Sequence, residues 1–271
     1  MAKILMCKPD YYGIEYEINP WMKKTNQANT TLAKKQWQQL YQLLLKCDAK
    51  VELLEPINHL PDLVFTANAG LILPHKKVYL SYFRYPERQG ECQYFRMWFK
   101  KNNFIIINDC TDKDETVNQC SHFEGAGDGL LVGNTLFAAY GFRSEKSAFD
   151  IIKQHGIHDI VYCELQDPYF YHLDTCFCPL DNNRAIWWPD AFTFESQQRM
   201  QAAKELIAVS AKDAKHFACN SVIIGKNVIL PTHCPDTSKL FKKLGYITHP
   251  TPMSEFIKSG GACKCLTLQL S

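Results

Sequence analysis

The chain has 271 residues, 46% hydrophobic and 21% charged, with 30 Lys plus Arg against 28 Asp plus Glu and a formal charge of +2. That composition fills a substantial core and excludes a wholly disordered chain. The charge is nearly balanced, with no basic tail or aromatic–basic interleaving, which argues against nucleic acid as a partner; no apolar run approaches the roughly eighteen residues of a membrane helix.

The first residues, Met1 to Pro9, form too short an apolar run for a signal peptide, so the expectation is a cytoplasmic protein with no membrane partner. Helices are predicted at about 31–46, 90–101, 145–155, 195–207 and 237–244. Strands are predicted at 64–73, 129–133, 172–178, 220–225 and 263–270, the first four with hairpin partners at 78–80, 135–139, 184–187 and 227–230. Strands and helices alternating in this way imply an α/β protein. The polar residues opening the strands, Asn68, Glu124, His172, Asn220 and Cys265, are spaced by 56, 48, 48 and 45 residues. That near-regular period suggests about five repeats of one supersecondary unit, arranged radially so that distant residues share one pocket. No linker divides the chain, and a single domain over 1–271 is expected.

Twelve cysteines are scattered along the chain without a Cys-x-x-Cys. Cys7, Cys47, Cys92, Cys110, Cys120, Cys163 and Cys234 read as small buried hydrophobes of a reducing compartment. Cys263 and Cys265 differ by two, which on a strand puts them on one face, and Cys265 is the candidate nucleophile behind the pair Gly260-Gly261. His172 and Asp174 share a face by the same rule; a solvent-reaching His beside a carboxylate is suited to acid–base work. Glu124 precedes a glycine-rich turn that admits a ligand, and Asp128 either contributes or caps that turn. Asp62 and Asn68 supply another carboxylate and an amide. Arg84, Arg88 and Arg143 follow the hairpins, where guanidinium forks grip carboxylates. Neither pair of alternating cysteines has zinc-site spacing and there is no HExxH, so no metal is expected.

These residues resemble the guanidino-modifying superfamily of amidinotransferases, arginine deiminases and dimethylarginine dimethylaminohydrolases. Within it they look most like the arginine dihydrolases related to the N-terminal domain of a cyanobacterial arginine-to-ornithine enzyme. The matching stretches include Phe65-Thr66-Ala67-Asn68-Ala69-Gly70, Phe123-Glu124-Gly125-Ala126-Gly127-Asp128, His172-Leu173-Asp174-Thr175-Cys176 and Gly260-Gly261-Ala262-Cys263-Lys264-Cys265, and together they span almost the whole chain. The resemblance implies a five-bladed α/β propeller of pseudo-fivefold symmetry built from ββαβ-type units. It also implies Cys265 as nucleophile, His172 as acid/base, Glu124 and Asp174 as guanidinium-binding carboxylates, and Asp62 as a substrate contact. Arg88 and Arg143 match arginines that hold the substrate carboxylate. Asn19 and Asn68 match asparagines of the dihydrolase-like relatives, where deiminases and dimethylarginine hydrolases carry Asp in place of Asn68. Asp128 and Phe65 are further candidates.

The implied reaction is hydrolysis of arginine to ornithine, ammonia and carbon dioxide through a covalent adduct on Cys265, without a cofactor. Dimethylarginine hydrolysis, deimination to citrulline, amidino transfer and a non-enzymatic guanidino-binding scaffold are the alternatives. Because the chain ends at Ser271, a minimal catalytic domain without a fused second domain is expected, and relatives suggest a homo-oligomer.

Overall fold

A computed structural model describes residues 1–108 and 121–271; Cys110 and Cys120 lie outside the described residues. Five three-stranded sheets form the fold. In each, an inner strand pairs antiparallel with a middle strand, which pairs in parallel with an outer one. The sheets are Gly70–Leu73, Lys77–Leu80 and Ile105–Asn108; Gly129–Val132, Thr135–Tyr140 and Ile160–Glu164; Phe177–Pro179, Arg184–Trp187 and Glu205–Ala208; and Val222–Ile224, Asn227–Pro231 and Ile247–Thr251. The fifth is assembled from both ends of the chain: Leu268–Gln269 is its inner strand, Lys3–Cys7 its middle and Lys50–Leu54 its outer strand.

A parallel pair needs a crossover, and a helix supplies it in every sheet. These helices are Thr30–Lys46, Cys92–Lys101, Ala148–Gln154, Phe194–Ala203 and Pro235–Lys243. Thr30–Lys46 starts where the Asn29 side chain accepts the Leu32 amide at 2.9 Å, and Ala33, Trp37, Leu40 and Leu44 form its buried stripe. The repeat is therefore ββαβ, as the spacing of strands and helices implied. Inner-strand residues of all five sheets, Leu71, Leu130, Cys178, Val222 and Leu268, line one cavity of about 330 Å³, which fixes a common axis of pseudo-fivefold symmetry.

The predicted helices recur with small shifts, except that 195–207 overruns the helix end at Ala203 into the outer strand Glu205–Ala208. Three predicted strands begin too early. Pro61–Val64 and Thr66–Ala69 are 3-10 turns before Gly70–Leu73, Leu173–Cys176 is a helical turn before Phe177–Pro179, and Cys263–Leu266 is a turn before Leu268–Gln269. In each case the apolar run continues through the turn because the turn itself is buried at the axis, so hydrophobicity alone does not mark where the strand begins. The same-face arguments for Cys263 with Cys265 and for His172 with Asp174 therefore fail. Cys263 packs with Phe217 and Ala262 in the core.

Cys7, Cys47, Cys92, Cys163 and Cys234 are buried free thiols, as read from their surroundings. Among the described residues no helix is long and apolar enough to cross a membrane.

Candidate active site

The turns that displace the predicted strands carry the chemistry. The Cys263–Leu266 turn is shaped by the side chain of Asn220, whose Oδ1 accepts the backbone amides of Ala262, Lys264 and Cys265 at 3.1, 2.9 and 3.1 Å. Its Nδ2 donates to the Asp174 carbonyl at 2.9 Å and to Cys265 Sγ at 3.0 Å. Sγ in turn lies 3.4 and 3.6 Å from the two Asp174 carboxylate oxygens. Burial and the neighbouring Asp174 charge push the Cys265 thiol well above its ordinary range. Burial likewise raises the Asp174 carboxyl to about 7, opposed by Lys264 and by hydrogen bonds from Cys265 and Asn220. A protonated thiol therefore sits beside a carboxyl poised near neutrality.

His172 sits one residue before the helical turn Leu173–Cys176. It is buried, 2% exposed, so the expectation of a solvent-reaching imidazole paired with Asp174 is incorrect. Its Nε2 instead meets Glu124 Oε2 at 2.8 Å, with Asp128 Oδ2 at 4.0 Å. Burial works against ionisation of Glu124, but the Arg143 guanidinium and His172 outweigh it and hold this carboxylate far below the usual range. Glu124 Oε2 accepts Arg143 Nη1 at 2.9 Å, while Oε1 is buried without a partner. Asp128 accepts the Ser144 hydroxyl at 2.6 Å and the Leu173 amide at 3.2 Å, which makes it a support for the His172 turn; burial raises it to about 6. Ser144 also accepts the Glu124 amide at 3.0 Å.

Asp62, on the turn before Phe65, is 3% exposed, and its Oδ1 likewise has no hydrogen-bond partner. Asn68 donates through Nδ2 to the Glu124 carbonyl at 3.0 Å and accepts Arg88 Nη1 at 2.9 Å. Gly127 makes this approach possible: a Cβ there would fall 2.4 Å from Asn68 Nδ2. Arg88 is bound by Glu91 through Nε and Nη2, both at 2.8 Å, and donates from Nη2 to the Asp62 carbonyl at 3.2 Å. Most of its donors are thus committed within the protein. Arg143 is held between the rings of Tyr85 and Tyr171, 4.7 and 4.6 Å from their centroids, and donates to the Ile18 carbonyl at 3.0 Å.

One small cavity of about 10 Å³ collects Asn19, Asp62, Phe65, Asn68, Arg88, Arg143, His172 and Cys265. Glu124 and Asp174 reach it through their contacts with His172 and Cys265. A second cavity of about 300 Å³ adjoins it across Ile18, Asn19, Arg143 and Tyr171. Asn19 donates to the Ser259 carbonyl at 3.1 Å, pinning its loop over the site. Arg84 stays outside, 3.7 Å from Glu145. Among the described residues no group of three or more His, Cys, Asp and Glu side chains could hold a metal ion. Asn220 and Ser144 received no role from the sequence, although the repeat period had already placed Asn220 with the other strand-opening residues.

Residues 8–271 match the family described as N,N dimethylarginine dimethylhydrolase, eukaryotic. The chain belongs to this family. It is 40% identical over 276 residues to the bifunctional arginine dihydrolase/ornithine cyclodeaminase ArgZ of Synechocystis, covering 99% of this chain and 38% of that protein. It thus spans well under half the length of that relative. It is 36% identical to the N(G),N(G)-dimethylarginine dimethylaminohydrolase of Mycobacterium tuberculosis, covering 98% of this chain and 84% of that protein. The N-terminal domain of ArgZ, a cyanobacterial arginine dihydrolase solved with substrate bound as a cysteine-to-serine mutant, superposes with a TM-score of 0.93 at 39% identity, covering 100% of this chain and 98% of that one.

Proposed function

We propose that this protein is a cysteine-dependent C–N hydrolase that converts arginine to ornithine, two ammonia and carbon dioxide. The observation carrying this reading is a buried thiol sharing one cavity with Asp62 and with His172, which is paired to Glu124 behind it; Asp62 and Glu124 each keep one buried oxygen without a donor. Such oxygens call for a ligand rich in N–H groups and positive charge, and a guanidinium is both.

A bound cation also resolves the protonation problem at Cys265. Positive charge beside Asp174 and Sγ favours the ionised forms of both, so the thiolate forms when substrate is present. Cys265 attacks the guanidinium carbon, His172 protonates the departing ammonia, and a covalent amidino thioether results. His172 then takes a proton from water, which displaces the thiolate and leaves a ureido group. A second cycle on that group expels another ammonia; hydrolysis of the resulting thiocarbamate gives a carbamate that loses carbon dioxide, leaving ornithine. Glu124, held ionised, orients the imidazole throughout. Arg143, with donors to spare at the mouth of the cavity, suits the carboxylate end of the amino acid.

The dihydrolase activity named for ArgZ and a neutral Asn68 at the guanidinium end favour two rounds over one. The dimethylaminohydrolase relative supports the second reading, release of citrulline from a methylated arginine. The buried free thiols support a reducing, cytoplasmic setting; single-domain folding rests on the absence of a linker in the sequence, and self-association is carried over from the resemblance alone. Arginine labelled at the guanidino carbon decides the reaction. Ornithine with two ammonia and labelled carbon dioxide is expected; citrulline with one ammonia would indicate a deiminase, and turnover of dimethylarginine alone would favour the second reading. Normal turnover by Cys265→Ser would rule out the mechanism.

A further inference from the structure

Glu91 does not line the reaction cavity, yet it is 0% exposed and immediately precedes the helix Cys92–Lys101. A buried carboxylate balances a cation, and among the described residues the cation on Glu91 is Arg88, gripped by both Glu91 oxygens at 2.8 Å. The same guanidinium has a second carboxylate within reach: Asp62 Oδ2 lies 3.9 Å from Arg88 Nε. We propose that Glu91 is a positioning residue that holds Arg88 away from Asp62, leaving Asp62 free to recognise the positive charge of the substrate. The proposal rests on the guanidino reading given above.

Two carboxylates compete for one guanidinium. Arg88 is stacked on Phe83, 4.4 Å from the ring centroid, and cannot leave for solvent. With Glu91 ionised, the nearer carboxylate takes the fork-to-fork pair and Asp62 keeps an oxygen without a partner. The Tyr16 hydroxyl faces Asp62 closely enough to favour its charge but falls short of a hydrogen bond. Without the Glu91 charge, a buried guanidinium turns to the remaining anion, and a cationic substrate must then displace a resident cation. A neutral ureido ligand loses far less. Arg88 Nη1 also fixes the Asn68 amide, so the Glu91 contact reaches the residue that separates this chain from the deiminases.

The test is calorimetric binding of arginine and citrulline to Cys265→Ala protein, with and without Glu91→Gln. The expected result is a Kd for arginine weakened about tenfold or more with citrulline changed by less than about threefold, and near-parental values in Glu91→Asp, which keeps the charge. Equal weakening of both ligands, or no change for arginine in a folded Glu91→Gln protein, overturns the proposal. If Glu91→Gln does not fold, Arg88→Met/Glu91→Met decides: an apolar pair removes the competitor, so arginine must keep its advantage over citrulline, and loss of that advantage overturns the proposal. Failure of the Cys265→Ala parent to bind either ligand would instead overturn the guanidino reading.

Discussion

Replacing Asn220 with Ala removes five hydrogen bonds from one buried side chain, and three of the abandoned groups are the backbone amides of Ala262, Lys264 and Cys265. The Lys264 amide keeps the Asn220 backbone carbonyl at 3.2 Å, whereas the Ala262 and Cys265 amides lose their acceptor; a buried N–H so left loses roughly 1–3 kcal/mol, and because the two share a single oxygen and are not additive, about 3 kcal/mol is expected for the pair. In a chain of this size that corresponds to a fall in Tm of about 6–12 °C. Asn220→Asp keeps the acceptor and replaces the donor at Sγ by an acceptor oxygen, so it should keep more of the stability while suppressing thiolate formation. Urea unfolding gives the first quantity and the rate of Cys265 alkylation against pH the second. Asn220→Ala within 1 kcal/mol of wild type would refute the view that this side chain builds the nucleophile turn.

Asp174 has a folded-state pKa raised from 3.8 to about 7, so ionising it on folding is unfavourable. Its contribution to stability in the ligand-free enzyme therefore declines as pH rises from about 4 to 7. Asp174→Asn should unfold at higher temperature than wild type at pH 8, by an amount worth about 2 kcal/mol, with little difference at pH 4 and no turnover at either; thermal melts across pH check this. Glu124 has the opposite sign: its depressed pKa stabilises the fold above the unfolded value near 4.5, and that stabilisation is lost as pH falls through the acid range. Glu124→Gln should consequently flatten the acid limb of the stability profile and lower kcat about 100-fold, as measured by denaturation and steady-state ammonia release. Gly127→Ala forces a methyl against Asn68 Nδ2; kcat/KM for arginine should fall at least about tenfold with Tm lowered by only a few degrees.

The convergence of Asn68, Glu124, His172, Asn220 and Cys265 was legible because the chain repeats one unit, and a repeat brings the equivalent turns ahead of each inner strand to one axis. The pairings within that group were not legible. Strand alternation predicted that His172 would face Asp174, but the chain makes a helical turn there, and the imidazole meets a carboxylate 48 residues away. A four-residue turn at Leu173–Cys176 leaves no hydrophobic period by which to recognise it, since every side chain in it is buried. Glu91 was silent for a related reason: as one acidic residue at a helix start it looks like a favourable helix-dipole contact or a local pair with Arg88 three residues earlier, and only the fold brings Asp62 beside that pair.

The burial of so many ionisable groups has a physical consequence for the empty enzyme. Asp62, Glu91, Asp128 and Asp174 are all raised by burial, and of the carboxylates around the site Glu124, which faces both Arg143 and His172, is driven down. Arg88 and Arg143 already line the cavity, but burial still disfavours the charged forms of Asp62 and Asp174, which gain from a further cation. A guanidinium entering the cavity stabilises the ionised carboxylates and the thiolate together, so binding and nucleophile activation are driven by the same charge. A neutral ligand of the same shape gains the hydrogen bonds without that coupling. This predicts that arginine binding will depress the apparent pKa of Cys265 alkylation in a slowly reacting His172→Ala protein, whereas an uncharged ureido analogue will not. An equal shift with both ligands would mean that exclusion of water, not charge, sets the reactivity of the thiol.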